Sequence, residues 1–218
     1  MKKERYFTKE NIFSVAEKIK QAATVRRENQ IHAFSAKDAI LLVTDMQQFF
    51  LNPKSHAFVP SAEAILPNIQ KLISCSENNA IPVIYSRHVN DPSNAALMGS
   101  WYRDLLSDAS GQAGIVKELH PNKHLILDKP QYDVFHETEL FQVFRKAAKT
   151  QIIICGVMTN LCVETTARSA FVRGIQPFVP IDATACYTYD MHLGSIRNLA
   201  QGFTHPILLH EILEKCKA

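Results

Sequence analysis

The sequence predicts a doubly wound α/β domain built on a parallel sheet. Three observations lead there. Short apolar runs rich in Ile, Leu and Val recur along the chain. Their apolarity is continuous rather than alternating, as in strands covered on both faces. Helical patterns lie between them, and alternation of strand and helix is the signature of a parallel α/β sheet.

The elements follow in order. Residues 10–26 form an amphipathic helix in a leading arm, residues 1–36, whose composition differs from the rest. Such an arm either packs on the following domain, residues 37–218, or reaches a neighbouring subunit. The first strand is 39–45, followed by a helix over 61–79 with Ile65, Leu66, Ile69 and Leu72 near helical spacing. Strands at 81–87 and 124–128 flank a long connection, 90–119, which carries the single tryptophan, Trp101. Connections of that length in compact domains are often functional. A helix over 139–148, a strand at 151–155, a helix over 160–172 and a strand at 176–181 come next. A helix over 191–202 and a sixth strand at 205–210 complete the pattern.

A chain of 218 residues, 46% of them hydrophobic and 21% charged, is long enough to bury a full core as one domain. The formal net charge of +3 is weak, and the Lys2-Lys3 and Arg26-Arg27 pairs do not form the basic stripe of a nucleic-acid binder. Five cysteines without regular spacing argue against a disulfide framework and fit a reducing, cytoplasmic setting. The charged start lacks the apolar core of a signal peptide, and no apolar run is long enough to span a membrane.

In an open α/β sheet, ligands bind beyond the carboxyl ends of the strands. Those ends bring Asp45, Lys129 and Cys162 to one rim. Cys162 sits in "GVMTNLCVETTAR", where Thr159 or Asn160 could cap the following helix. A thiol in that first turn would be stabilised as thiolate by unpaired N–H groups; the other reading is a small buried hydrophobe. Asp45 is either a general acid/base or a hydrogen-bonded turn cap. Lys129 either holds its neighbours ionised or is an ordinary surface lysine.

Four blocks, in order, are similar to the isochorismatase-like cysteine hydrolases: "AILLVTDMQQFF", "DKPQYDVFHETEL", "GVMTNLCVETTARSAF" and "IDATACYTYDMHLGSIRNLAQGF". The resemblance spans residues 37–213. It implies a six-stranded parallel sheet with helices on both faces, a Rossmann-like three-layer architecture. It implies a catalytic triad of Asp45, Lys129 and Cys162, a cis peptide between Val157 and Met158, and an oxyanion hole made by the N–H groups of Met158 and Cys162. It also implies no cofactor, a small-molecule substrate, no nucleic-acid or membrane partner, and a homo-oligomer, dimer or tetramer. Phe50, Arg87, Trp101, Tyr132, Phe135, Thr159 and His192 are the candidate pocket residues, with Arg87 placed to meet a substrate carboxylate. Nicotinamidases of the superfamily carry a metal bound by an aspartate and histidines after the first strand. The equivalent stretch here, "LNPKSHAFVPSAEA", has only His56, which turns the reading away from a metal and from that activity. His56 and His88 are read as packing or hydrogen-bonding residues. The function expected is hydrolysis of a C–N bond (amide, ureido or carbamoyl) through a thioester-type intermediate. The alternatives are vinyl-ether hydrolysis, as in isochorismatase itself, and a non-catalytic binding or redox module.

Overall fold

The computed structural model describes residues 2–24, 33–102 and 104–216. The arm carries α1 (Ile12–Ala23); the expected end of that helix at Arg26 lies outside the described residues. Then come β1 (Ala39–Thr44), a one-turn α2 (Gln48–Leu51), α3 (Ala62–Asn78), β2 (Val83–His88), a one-turn α4 (Met98–Trp101) and β3 (Leu125–Lys129). The second half runs α5 (Leu140–Ala147), β4 (Gln151–Val157), α6 (Glu164–Val172), β5 (Gln176–Pro180), β6 (Thr184–Ala185), α7 (Tyr189–Gly202), β7 (Pro206–Ile207) and α8 (Leu209–Cys216).

The strands lie in the order β3-β2-β1-β4-β5-β7, all parallel, with β6 pairing the far end of β4. The chain winds outward from β1 to β3, then returns to place β4 beside β1. Of the helices, α3 packs on β1, β2 and β4 and also meets α8, while α6 packs on β5 and meets α7. β1 and β4 are central, and every residue in both is buried. That explains their unbroken apolar runs. β3 is the edge strand, where Leu125 and Ile126 remain exposed.

The arm packs on the domain of its own chain. Phe7, Ala16 and Ile19 are fully buried, and Lys20 pairs with Glu211 of α8 at 2.6 Å. The Tyr6 hydroxyl accepts from the Cys186 N–H at 2.9 Å and bonds His192 Nδ1 at 2.8 Å.

Two elements differ from the sequence expectation. The sixth strand is only Pro206–Ile207, and Leu209 opens α8, a helix the pattern did not indicate. The cause is tertiary: the Asp182 carboxylate accepts the Leu209 N–H at 2.8 Å and turns the chain. The helix after β4 opens with a wide π-type turn, Thr159–Val163, before α6 proper. No side chain caps that turn, and Thr159 Oγ1 and Asn160 Oδ1 are buried without a partner, so neither plays the expected capping part.

Gly156 sits at the closest approach of β4 to β1. Its φ is +108°, and a Cβ there would lie 2.0 Å from the Thr44 carbonyl oxygen. Gly156→Ala is expected to cost more than about 3 kcal/mol. Urea unfolding would show this as a large fall in midpoint at unchanged slope.

Candidate active site

Three strands each deliver one ionisable group to the carboxyl rim of the sheet. Asp45 follows β1 directly, in a left-handed conformation with φ of 52°, and is completely buried. Its Oδ1 accepts from Ser86 Oγ at 2.8 Å. Lys129 ends β3 and is also completely buried. Its ammonium meets Asp45 Oδ2 at 2.8 Å, the Gln131 carbonyl at 3.0 Å and Cys162 Sγ at 3.3 Å. Two of its protons go to Gln131 and Cys162, and its charge stands against Asp45. The approach to Oδ2 is ionic rather than in line, so that oxygen has no aligned hydrogen-bond donor. Cys162 lies in the π-type turn after β4, and the Val157–Met158 peptide just before that turn is cis.

The electrostatics of this cluster differ from the thiolate expected of a helix first turn. Burial pushes the Cys162 thiol up to about 12, and the Asp45 carboxylate adds to the rise; the Lys129 charge opposes it but does not prevail. Burial alone would lower Lys129, yet the facing Asp45 charge and the contact with Cys162 hold it above its ordinary value. At rest Cys162 is thus held as the thiol beside the Lys129 ammonium. A raised folded-state value means that alkylation of Cys162 by iodoacetamide should climb about tenfold per pH unit from pH 7 to 10, without levelling near 9. Peptide mass spectrometry after timed quenching would follow Cys162 separately; a plateau near pH 7 would contradict the assignment.

A cavity of about 400 Å³ opens onto Cys162 and Met158. That is within the range of small-molecule sites. Phe49, Phe50, Leu106 and Leu161 give it an apolar wall. Tyr132, from the segment after Lys129, lines it and shares a hydrogen bond with Tyr102 of the long connection. Thus Phe50, Tyr132, Met158 and Cys162 come together in one cavity.

The other candidates lie elsewhere. Arg87 is held by Asp128 at 2.7 and 2.6 Å and by Asp108 at 2.7 Å, and faces a separate groove along β3. Trp101 is 80% exposed and does not line the cavity. Phe135 is buried against Phe144 and under the Arg173 guanidinium, 5.0 Å from its ring centroid. Thr159 is fully buried outside the cavity lining. His192 is fully buried between Tyr6 and Thr184, and burial pushes it down to about 3, so it is a neutral core histidine tying the arm to the domain.

Seven cavity residues with polar side chains escaped the sequence reading as pocket candidates: Lys3, His56, His88, Asn90, Tyr102, Asp104 and Tyr187. His88 and Asn90 follow the end of β2, so the rule of strand carboxyl ends could have found them. Asn90 Oδ1 accepts the Leu106 N–H at 3.0 Å, which turns its NH₂ toward His88 Nε2 at 3.2 Å. Burial and the nearby Lys129 charge push His88 down to about 4, so its imidazole is neutral. His56 pairs with Asp104 at 2.9 Å and stands edge-on to Phe49. The donor set does not fit a resident metal: among the described residues no group of three His, Cys, Asp or Glu side chains converges.

An open parallel sheet with a carboxylate, an ammonium and a thiol joined at its carboxyl rim defines a doubly wound α/β enzyme. Residues 39–211 match the family model described as "Isochorismatase domain". The chain is 32% identical over 191 residues to nicotinamidase 3 of Arabidopsis thaliana, covering 84% of this chain and 91% of that protein. It is 31% identical over 184 residues to enterobactin synthase component B of Escherichia coli K12, covering 83% of this chain and 64% of that one. Among solved structures, a cysteine hydrolase from Pseudomonas syringae pv. phaseolicola 1448A superposes with a TM-score of 0.84 at 26% identity, over 88% of this chain and 99% of that one. An N-carbamoylsarcosine amidase from Thermoplasma acidophilum shares the fold, with a TM-score of 0.62 at 24% identity, over 68% of this chain and 84% of that one. The chain belongs to the isochorismatase family and is a hydrolase of that family. Among its described residues, no helix is long and apolar enough to cross a membrane.

Proposed function

We propose that this hydrolase cleaves a C–N bond of amide type in a small molecule, with Cys162 as nucleophile. One observation carries the reading: the Lys129 ammonium touches both Asp45 and Cys162 at a cavity of small-molecule size. Asp45 takes the thiol proton through the oxygen that has no aligned donor, and the thiolate attacks the amide carbon. The N–H groups of Met158 and Cys162 receive the oxyanion. Asp45 then gives its proton to the departing ammonia or amine. A water, deprotonated by Asp45, attacks the thioester, and collapse releases the acid and restores the thiol. Lys129 stays charged throughout and stabilises whichever neighbour is anionic.

The high thiol value fits this cycle. A proton held at rest keeps the buried site from carrying two anions beside one cation. It leaves only when an electrophile replaces the lost stabilisation. The relationship to a plant protein named as a nicotinamidase supports amide chemistry and keeps nicotinamide among the substrates to be tried, although the donor set speaks against the metal.

Vinyl-ether hydrolysis is the second reading. It is favoured by the family model and by a buried carboxylate, Asp45, joined through Lys129 to the Cys162 that lines the cavity. The deciding experiment is ammonia release from a panel of small amides, nicotinamide, ureido acids and carbamoylated amines, with Cys162→Ala and Asp45→Asn alongside. Release that needs both residues supports C–N hydrolysis. Silence on that panel, with turnover of isochorismate that needs Asp45 but not Cys162, would replace it by the second reading.

A further inference from the structure

The charged groups around the cavity are not evenly matched. Asp45 is paired with Lys129, and Asp104 stands 2.9 Å from His56 Nε2. Arg87, which the sequence offers as a carboxylate partner, is spent on Asp128 and Asp108. Lys3 is different. It lies on the arm, reaches the cavity wall, and among the described residues pairs with no carboxylate. Burial lowers it from its ordinary value, as expected of a cation short of solvent and of a counter-charge.

Its ammonium is held in place. It donates to the His56 carbonyl at 2.6 Å and the Phe58 carbonyl at 2.8 Å, and lies 4.4 Å from the Tyr187 ring centroid. The arm is fixed at the next residue, by the Glu4 N–H to the Tyr187 carbonyl at 2.8 Å and the Tyr189 N–H to Glu4 Oε2 at 3.1 Å. An ammonium has three N–H donors, and two carbonyls leave one free. A positioned cation with an unused donor, on a wall otherwise rich in Phe and Leu, is matched by an apolar ligand ending in an anion.

We propose that Lys3 is the anion-recognition residue of this cavity, and that the substrate carries a carboxylate outside the group that is cleaved. This rests on the reading of the cavity as the hydrolytic site. A purely mechanical role, in which Lys3 only staples the arm to the 56–58 loop, predicts the same loss for charged and neutral ligands. Recognition predicts a loss confined to charge.

The test is equilibrium binding, which needs no turnover. Calorimetric titration of the full-length Cys162→Ala protein would compare the monoamides of succinic, glutaric and adipic acids with their neutral methyl esters. With Lys3 present, at least one acid should bind about tenfold tighter than its ester, and the preference should shrink with added salt. Lys3→Met should bring the ratio to within about twofold, and Lys3→Arg should retain most of it. Equal binding of acid and ester, an equal loss of both in Lys3→Met, or no binding of any acid at 10 mM (~10⁴ times a micromolar affinity) would each overturn the proposal. A surviving acid preference in a protein whose unsubstituted form hydrolyses no amide would count against C–N chemistry and leave the role of Lys3 standing.

Discussion

Cys162→Ala should lower kcat on a confirmed amide substrate by at least about 10³-fold, with KM changed by less than about threefold. The asymmetry follows from what the side chain does. Alanine removes one buried sulfur and leaves the apolar wall of Phe49, Phe50 and Leu161 intact, so ground-state binding is retained. It also leaves the Asp45–Lys129 pair with its remaining partners, Ser86 and Gln131. The fold should therefore persist, and circular dichroism and urea unfolding should change little. Steady-state kinetics on purified protein, with trace wild-type contamination excluded by active-site titration, provide the check. Retention of more than about a tenth of kcat would remove Cys162 from the role of nucleophile.

Lys129→Met should have the largest effect on stability of any change at the site, about 3–5 kcal/mol. Methionine fills much of the volume of the lysine stem, so packing is not the main loss. The loss is that Asp45, fully buried, keeps one hydroxyl donor and no cation. An unpaired buried charge is far costlier than no charge. For that reason Asp45→Leu combined with Lys129→Met should be more stable than Lys129→Met alone, though inactive. Chemical denaturation of the three variants gives the comparison. Additive losses in the double variant would show that the pair is not coupled as its 2.8 Å contact indicates.

The scaffold was legible in the sequence for a specific reason. β1 and β4 are buried on both faces, so composition alone marks them, and no neighbour needs to be known. Asp45 and Lys129 could be picked out because they end or follow such strands. Where distant residues decide, the sequence was silent. The start of α8 depends on Asp182, 27 residues earlier in the chain. Arg87 reads as a free cation in sequence, but parallel pairing of β2 with β3 sets it directly opposite Asp128. His192 falls in a block that resembles a pocket segment, yet its neighbour is Tyr6 of the arm. The cavity wall was the least legible part. Lys3 reaches the carbonyls of His56 and Phe58 across 53 and 55 residues of chain, and no local pattern encodes such a reach. The state of Cys162 was left open in sequence between thiolate and buried thiol; burial and the facing carboxylate, both tertiary, favour the thiol.

The seating of the arm bears on how the chain is made. Tyr6 finds its partners at Cys186 and His192, 180 and 186 positions later. On a ribosome adding roughly 5–20 residues per second, those partners follow about 10–40 s behind it. Throughout that interval the nascent arm lacks the later surface, His192 and Glu211 among it, on which Tyr6, Phe7 and Lys20 finally rest. The site is then assembled last, when the final third of the polypeptide emerges and its beginning docks onto it. Stalled or shortened products would carry an arm only partly covered, which is the kind of surface that chaperones and proteases survey.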